Sequence, residues 1–354
     1  MNKTIVFTGG GSAGHVTPNI AIISEMNKDW DIHYIGSKKG IEKELIQRLN
    51  IPYFGIHSGK LRRYADKENL IDIFRVMKGC FEARSILKKL KPSLVFSKGG
   101  FVSVPVILAA KTLKIPIYIH ESDKTPGLAN KISQRFATKI FTSFDETKHY
   151  FPAHKTFAIG SPIRKEIVNG TADKGRKLLG YTNHLPILTI MGGSLGAKRI
   201  NEVVRESLNQ LTANYQIVHI CGKNNLDGTI TTNSRYIQFE YVQDELPDIL
   251  AATDIVITRG GSNAIFEFLA LHIPMIIIPL GMHQSRGDQI LNAKAFEKKG
   301  FSLTLEEDRL NQKSLIDSLN SMNKNRSFYR EKMKTSFQGD ALQILVNEIN
   351  NIHI

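Results

Sequence analysis

His15 ends the stretch Gly9-Gly10-Gly11-Ser12-Ala13-Gly14-His15, directly after the apolar run KTIVFT and directly before VTPNIAIISEM. An imidazole titrates near neutrality, so a histidine at the edge of a bound substrate can take the proton of a hydroxyl. The glycines allow a backbone course that other residues resist. A glycine turn that opens a helix also aims N–H groups at one spot, where an anion such as a diphosphate is favoured. A second stretch of this kind, Gly192-Gly193-Ser194-Leu195-Gly196, follows PILTIM and precedes a helical pattern, AKRINEVVRESL.

Three chemistries use such turns. Gly9-x-Gly11-x-x-Gly14 fits the dinucleotide fingerprint, which needs an acidic residue at the end of the next strand to hold a ribose. That strand, DIHYIGS, ends in Gly36 and Ser37 with no carboxylate. The nicotinamide reading is therefore disfavoured. Gly192-Gly193-Ser194-Leu195-Gly196 also fits the nucleophile elbow G-x-S-x-G, with Asp254 and His272 or His283 as later partners. That motif is short, and His272 stands in LHIP, a helix-to-strand turn. Sugar transfer from a nucleotide is the third. The donor diphosphate lies at one turn, and His15, at the other, deprotonates the acceptor. The chain is expected to lack a D-x-D carboxylate clamp, hence a metal or other cofactor, so helix N-termini and cations would stabilise the leaving group.

The elements that must position these residues alternate between short apolar runs and helical periodicity. TIVFT, DIHYIG, YFGIH, SLVFS, IPIYIH, KIFTSF and TFAIG are strand candidates, with helical patterns such as IEKELIQRL between them. Near residue 185 the strand–glycine–helix pattern restarts, and QIVHICG, YIQFEYV, DIVITRG and MIIIPL supply further strands. The fold class is α/β, with two Rossmann-like doubly wound domains facing a cleft. The break falls in IGSPIRKE, giving domains over 1–163 and 164–337. The amphipathic segment at about 338–354 is available to pack on the first domain.

Composition agrees with a globular protein, 42% apolar and 23% charged. Cys80 and Cys221 stand far apart, which excludes a disulfide framework or zinc spacing and fits a reducing cytoplasm. No signal peptide is expected, and no apolar run reaches the ~20 residues that span a bilayer. The net charge is +14, and residues 1–163 hold 25 Lys and Arg against 13 Asp and Glu. The later residues are nearly balanced. Such asymmetry points to an acidic partner for the first half.

Several motifs in order resemble those of the MurG family of peptidoglycan glycosyltransferases, over essentially the whole chain. They are GGGSAGHVTP, FSKGGFVSVPVILAA, HESDKTPGLAN, GSPIR, MGGSLGA, TRGGSNAIFE and DQILNA. The resemblance implies the GT-B fold and inverting transfer of N-acetylglucosamine from UDP-N-acetylglucosamine to the muramyl C4 hydroxyl of lipid I. It implies that Ser12, Ala13 and Gly14 turn near the sugar and that His15 is the base. Asp123 and Asn130 fall in the stretch that contacts substrate. Arg164 and Ser194 would contact the donor, with Ser194 at the diphosphate, and Val242 would hold uracil through its backbone. Ser262, Asn263 and Ala264 would start the next helix, and Glu267 would accept from ribose hydroxyls, which suits a carboxylate. Gln289 and Asn292 would face sugar hydroxyls.

Two departures stand out. Ala13 replaces a glycine of the family pattern, which would make a left-handed conformation costlier there. Asp123 replaces an asparagine, exchanging a donor for a charge. Two alternatives stay open: a diacylglycerol glycosyltransferase of the same fold, and a non-catalytic nucleotide-sugar sensor. No nucleic-acid-binding module is recognised.

A lipid-linked acceptor calls for a membrane surface, expected here as peripheral binding at the cytoplasmic face. On the helical pattern IDIFRVMKGCFEARSILKKL, Arg75, Lys78 and Lys89 share one face. Phe74 and Phe81 border an apolar face with Ile73, Met77 and Cys80, and Arg62 and Arg63 precede it. Apolar residues rimmed by cations suit shallow insertion among anionic headgroups. Arg62, Arg63, Phe74, Arg75, Lys78 and Phe81 are the expected membrane-facing residues.

Overall fold

The computed structural model describes residues 3–59, 67–182, 185–193, 196–230, 233–282, 286–336 and 339–352. The chain divides into two compact units, Met1–Pro162 with Gln338–Ile354, and Ile163–Phe337.

The first unit holds seven parallel strands: β1 (Lys3–Thr8), β2 (Trp30–Ser37), β3 (Tyr53–Ile56), β4 (Leu94–Ser97), β5 (Ile117–Glu121), β6 (Lys139–Thr142) and β7 (Thr156–Ala158). They lie in the order β3-β2-β1-β4-β5-β6-β7. Helices cover both faces, so consecutive residues Ile5, Val6 and Phe7 are all buried, as parallel strands require. The order reverses between β1 and β4, and in such sheets ligands bind outside the carboxyl ends of the strands at this point. The glycine turn 9–15 follows β1, Gly99 and Gly100 follow β4, and the 120–127 segment spans the end of β5 and its loop. All three meet at that edge.

The final helix, Ala341–Asn350, belongs to this unit. Leu342, Leu345, Val346 and Ile349 share a core with Ile5, Phe7 and Ile22. The Trp30 indole donates to Asn350 Oδ1 (2.8 Å), and Lys3 Nζ donates to the carbonyls of Asn350 and Ile352.

The second unit repeats the plan with β8 (Ile187–Met191), β9 (Gln216–Ile220), β10 (Tyr236–Phe239), β11 (Ile255–Thr258), β12 (Met275–Ile277) and β13 (Ser302–Thr304). All are parallel, in the order β10-β9-β8-β11-β12-β13, with the reversal between β8 and β11. The second glycine stretch follows β8. Gly260-Gly261 follows β11 and opens the helix Ser262–Ala270. Of the strands, β13 has no counterpart among the expected runs, because three residues with two hydroxyls carry no apolar signal.

Candidate active site

The first glycine turn is held from within. Gly9 and Gly11 take positive φ, +157° and +84°, and Ala13–His15 form a single 3₁₀ turn ahead of the helix Thr17–Ser24. Ala13 is absent from the positive-φ residues, so the expected left-handed cost does not arise: the methyl sits in a right-handed turn. Asn19 Nδ2 donates to Thr8 O (3.2 Å), and the Tyr34 hydroxyl donates to Gly9 O (2.8 Å). Ser12 Oγ lies 2.9 Å from His15 Nδ1. If Nδ1–H donates to Ser12, Nε2 is the ring nitrogen that accepts, the arrangement a base needs.

A carboxylate that the sequence did not single out completes this turn. Glu42, on the helix Ile41–Gln47, is wholly buried, and its oxygens accept from Gly11 N (3.3 Å), Ser37 N (2.9 Å) and Ser37 Oγ (2.5 Å). A Cβ at Gly10 would stand 2.5 Å from that carboxyl group, so Glu42 needs the glycine. An acidic side chain does therefore reach the end of β2, contrary to the reading from DIHYIGS. It points into the turn and satisfies its amide, where a dinucleotide would place a phosphate. The nicotinamide reading fails for that reason.

The hydrolase reading fails on geometry. Asp254 precedes β11 and accepts from Ile187 N (3.0 Å) and from Arg326 (3.0 Å), so it sits at the amino edge of the sheet. His272, with φ +55°, precedes β12 at the same edge. The stretch 192–196 leaves β8 at the carboxyl edge. Ser194 and His283 lie outside the described residues. The expected absence of D-x-D also needs correction: Asp29-Trp30-Asp31 is one, but it stands at the amino end of β2, where Asp31 contacts His33 (2.9 Å). Among the described residues no group of three His, Cys, Asp or Glu could hold a metal ion.

In the second unit a cavity opens at the switch point, lined by Gly192, Gly193, Gly196, Arg259, Ala264 and Gln289 among others. The helix starting at buried Ser262 and half-buried Asn263 has no acidic residue in its first turn, so its N-terminal dipole faces no carboxylate of its own there. The buried Arg259 donates to Glu307 Oε1 (2.5 Å) and to Ile278 O (3.2 Å). Gln289 Oε1 accepts from Gly260 N (3.3 Å) and Leu280 N (3.1 Å), joining two loops. Asn292 is wholly buried and donates to Gly260 O (3.0 Å). This corrects the expectation that it faces sugar hydroxyls: it braces the loop beneath the site. Arg164 donates to Glu267 Oε1 from Nε (3.2 Å) and Nη2 (3.0 Å), joining two expected donor contacts. Burial raises the Glu267 pKa, and the arginine charge opposes that rise. Val242 buries its side chain among Val218 and Ile220, so any contact it makes to a base falls to its peptide groups.

On the carboxyl edge of the first sheet, Glu121 is buried and accepts from Asp123 N, Gly127 N and Asn130 Nδ2. Asn130 is likewise buried and also donates to His120 O (3.3 Å). Asn130 thus supports the loop, and the partly exposed Asp123 is the residue open to a substrate.

Along the helix Lys67–Leu90, Phe74 and Phe81 are 65% and 71% exposed, and Ile73 and Met77 are exposed beside them. At spacings of four, residues 73, 77 and 81 line one stripe, and Arg75 and Lys78 are exposed too. Arg62 and Arg63 lie outside the described residues. Among the described residues no helix is long and apolar enough to cross a membrane.

Two parallel Rossmann-like sheets, each with glycines after its first strand, make the GT-B fold. The glycosyltransferase family 28 N-terminal domain matches residues 5–142, and the C-terminal domain of that family matches residues 187–347. The chain belongs to glycosyltransferase family 28. It is 55% identical over 348 residues, 98% of each chain, to a Shouchella clausii protein named UDP-N-acetylglucosamine--N-acetylmuramyl-(pentapeptide) pyrophosphoryl-undecaprenol N-acetylglucosamine transferase. A Lachnoclostridium phytofermentans protein of the same name is 50% identical over 99% of each chain. Among solved structures, Acinetobacter baumannii MurG superposes with TM-score 0.77 at 24% identity, covering 98% of this chain and 99% of that one. A Neisseria meningitidis UDP-GlcNAc 2-epimerase bound to UDP-GlcNAc gives TM-score 0.67 at 14% identity, over 99% and 100% of the two chains. The fold thus serves more than one reaction, and it alone does not choose between them.

Proposed function

We propose that this chain transfers N-acetylglucosamine from UDP-N-acetylglucosamine to the muramyl C4 hydroxyl of lipid I, with inversion, giving lipid II for peptidoglycan. The observation that carries this is identity above one half, over nearly the whole chain, to a relative named for that transfer. The epimerase likeness rests on the fold only.

The roles of single residues are part of the proposal. The second unit holds the donor. Its diphosphate is stabilised by the glycine stretch after β8 and the N-terminus of the helix Ser262–Ala270, with Ser194 beside it. Glu267, oriented by Arg164, accepts from the ribose, and Gln289 contacts the sugar. His15 takes the proton from the acceptor hydroxyl. The acceptor oxygen bonds to the anomeric carbon as the bond to the diphosphate breaks, and UDP leaves. UDP-N-acetylglucosamine is a substrate, and no metal is invoked.

The lipid-linked acceptor is reached at the membrane. The exposed stripe Ile73, Phe74, Met77 and Phe81, bordered by Arg75 and Lys78, supports shallow insertion into an anionic leaflet. The excess positive charge of residues 1–163 supports the same face, as does the reading that the protein works peripherally at the cytoplasmic side of the cell membrane. Incubation with radiolabelled UDP-N-acetylglucosamine or UDP-glucose, and with a lipid I analogue or diacylglycerol, tests the reading. Labelled disaccharide lipid from the first donor and first acceptor is expected. Transfer only to diacylglycerol, or donor binding with no turnover on any acceptor, would overturn it.

A further inference from the structure

Arg259 directly follows β11. The residue after it is pinned on both sides of its peptide: Gly260 N donates to Gln289 Oε1 (3.3 Å), and Gly260 O accepts from Asn292 Nδ2 (3.0 Å). Arg259 lines the cavity at the second switch point together with Gly192, Gly193 and Gly261. Those glycines belong to the stretch after β8 and to the approach to the helix Ser262–Ala270, the two places assigned above to the donor diphosphate.

A guanidinium keeps its charge at any working pH and carries five N–H donors. Here Nη1 donates to Ile278 O (3.2 Å) and Nη2 to Glu307 Oε1 (2.5 Å). Among the described residues no further acceptor takes a hydrogen bond from this side chain. The wall of the cavity thus holds a cation with N–H groups left for an oxyanion.

Glu307 comes from the far side of the sheet. It stands in the acidic run Glu306-Glu307-Asp308, on the 3₁₀ turn Glu307–Arg309 that follows β13. Glu306 and Asp308 are exposed, whereas the side chain of Glu307 is 8% exposed and that of Arg259 is 10% exposed. The ends of three strands are tied beside the pair, because Ile278 N donates to Thr258 O (2.7 Å) and Leu305 N to Ile277 O (3.0 Å). An ion pair at such depth contributes little net stability, since taking both charges out of water offsets their attraction. Its use is to keep a cation in one place without leaving it unpaired while the cavity is empty.

We propose that Glu307 is a positioning residue for the donor: it anchors Nη2 of Arg259, so that the remaining N–H groups of the guanidinium meet a diphosphate oxygen in the cavity. This rests on the donor site assigned to the second unit under the transferase reading. The carboxylate acts through the arginine. Its effect is therefore confined to ligands that carry the diphosphate, and the nucleoside alone does not sense it.

Calorimetric affinities for UDP and for uridine test this in wild type, Glu307→Asp, Glu307→Gln, Arg259→Lys and the Glu307→Asp/Arg259→Lys double variant, with circular dichroism of each. Aspartate keeps the charge and withdraws the oxygens by one methylene. Glutamine loses the charge and keeps an acceptor oxygen in place. Glu307→Asp is expected to weaken UDP about tenfold, the scale of one charge-assisted hydrogen bond, with uridine held within about twofold. Glu307→Gln should stay within about threefold of wild type for UDP, because the anchor remains. Arg259→Lys leaves Glu307 paired but replaces the planar fork by a point charge, so it should show the same selective loss even where Glu307→Asp does not fold. In that background Glu307→Asp should cost no further UDP affinity.

UDP and uridine weakening together would show that Glu307 only holds the loop. A Glu307→Gln loss as large as that of Glu307→Asp would show that charge and not placement matters, and additive losses in the double variant would show that the two residues act apart. Each of these overturns the inference. Binding is read without an acceptor, which separates it from the transferase reading. A wild type that binds UDP and transfers nothing refutes that reading, and the variants still decide the role of Glu307. A wild type that binds UDP no more tightly than uridine overturns the inference even where transfer is observed.

Discussion

Glu42→Gln isolates what holds the first glycine turn. In the wild type one buried carboxylate accepts from Gly11 N, Ser37 N and Ser37 Oγ. The amide has the same shape. Its oxygen can keep the Ser37 pair, and its NH₂ then faces the Gly11 N–H, donor against donor. One charge-assisted hydrogen bond, worth roughly 1.5–3 kcal/mol, is lost, and a buried donor is left unpaired at about 1–3 kcal/mol more. A neutral amide costs less to bury than a carboxylate, which offsets part of this. A net loss of about 2–3 kcal/mol follows. At roughly 2–4 °C per kcal/mol for a unit of this size, the first unit's transition falls by about 4–12 °C. The Gly11 amide also sets the path of Ser12–His15, so kcat should drop about tenfold or more. Scanning calorimetry reads the first effect and single-turnover transfer the second. Glu44→Gln is the control: Glu44 is exposed on the same helix and pairs with the exposed Arg48, so it should shift stability by no more than about 0.5 kcal/mol. A Glu42→Gln protein that melts within about 1 °C of wild type and keeps its kcat would show that the carboxylate does not hold the turn.

His15→Ala should lower kcat by about 10²–10⁴-fold with UDP affinity unchanged, and wild-type turnover would remove His15 from the mechanism. Glu267→Ala should raise the donor KM about tenfold or more through lost charge-assisted hydrogen bonds, and an unaltered UDP affinity by calorimetry would refute the ribose role. Replacing Arg75 and Lys78 with Gln removes about 1 kcal/mol of attraction each, so anionic vesicles should hold that protein roughly 30-fold more weakly. Co-sedimentation at low and high salt reads this, and equal binding of both proteins would move the membrane-facing surface elsewhere.

The alternation of strands and helices was legible because parallel strands buried on both faces must be short apolar runs, and Gly and Pro punctuate them. The glycine turns were legible because glycine takes a φ such as that of Gly11 without the cost that a side chain adds. Glu42 was not: IEKELIQ reads as a solvated helix, and nothing local says that its one buried carboxylate meets a turn 31 residues earlier. The burial of Lys98, 2% exposed directly after β4, was hidden in the same way. In FSKGGF a lysine reads as surface charge, and its burial follows only from the crossover that brings β5 beside β4. Asn292 was assigned to the sugar by resemblance, but an amide serves a loop carbonyl as well as a hydroxyl, and only depth distinguishes the two.

The two units repeat one plan and divide its chemistry by where each puts its carboxylate. At the first switch point Glu42 already fills the place an anion would take. A phosphate there would have to displace three hydrogen bonds or sit against a buried negative charge, and either is unfavourable. What this turn can still offer is a backbone with His15 at its end, which suits the proposed base and not an anion site. At the second switch point the helix from Ser262 has no acid in its first turn, and the nearby Glu307 is paired with Arg259. A diphosphate placed there meets N–H groups with no carboxylate of that helix's first turn opposing it. The same strand–glycine–helix sequence pattern therefore suits the proposed proton transfer in one half and the proposed leaving-group stabilisation in the other. The residue that decides between them lies outside the motif.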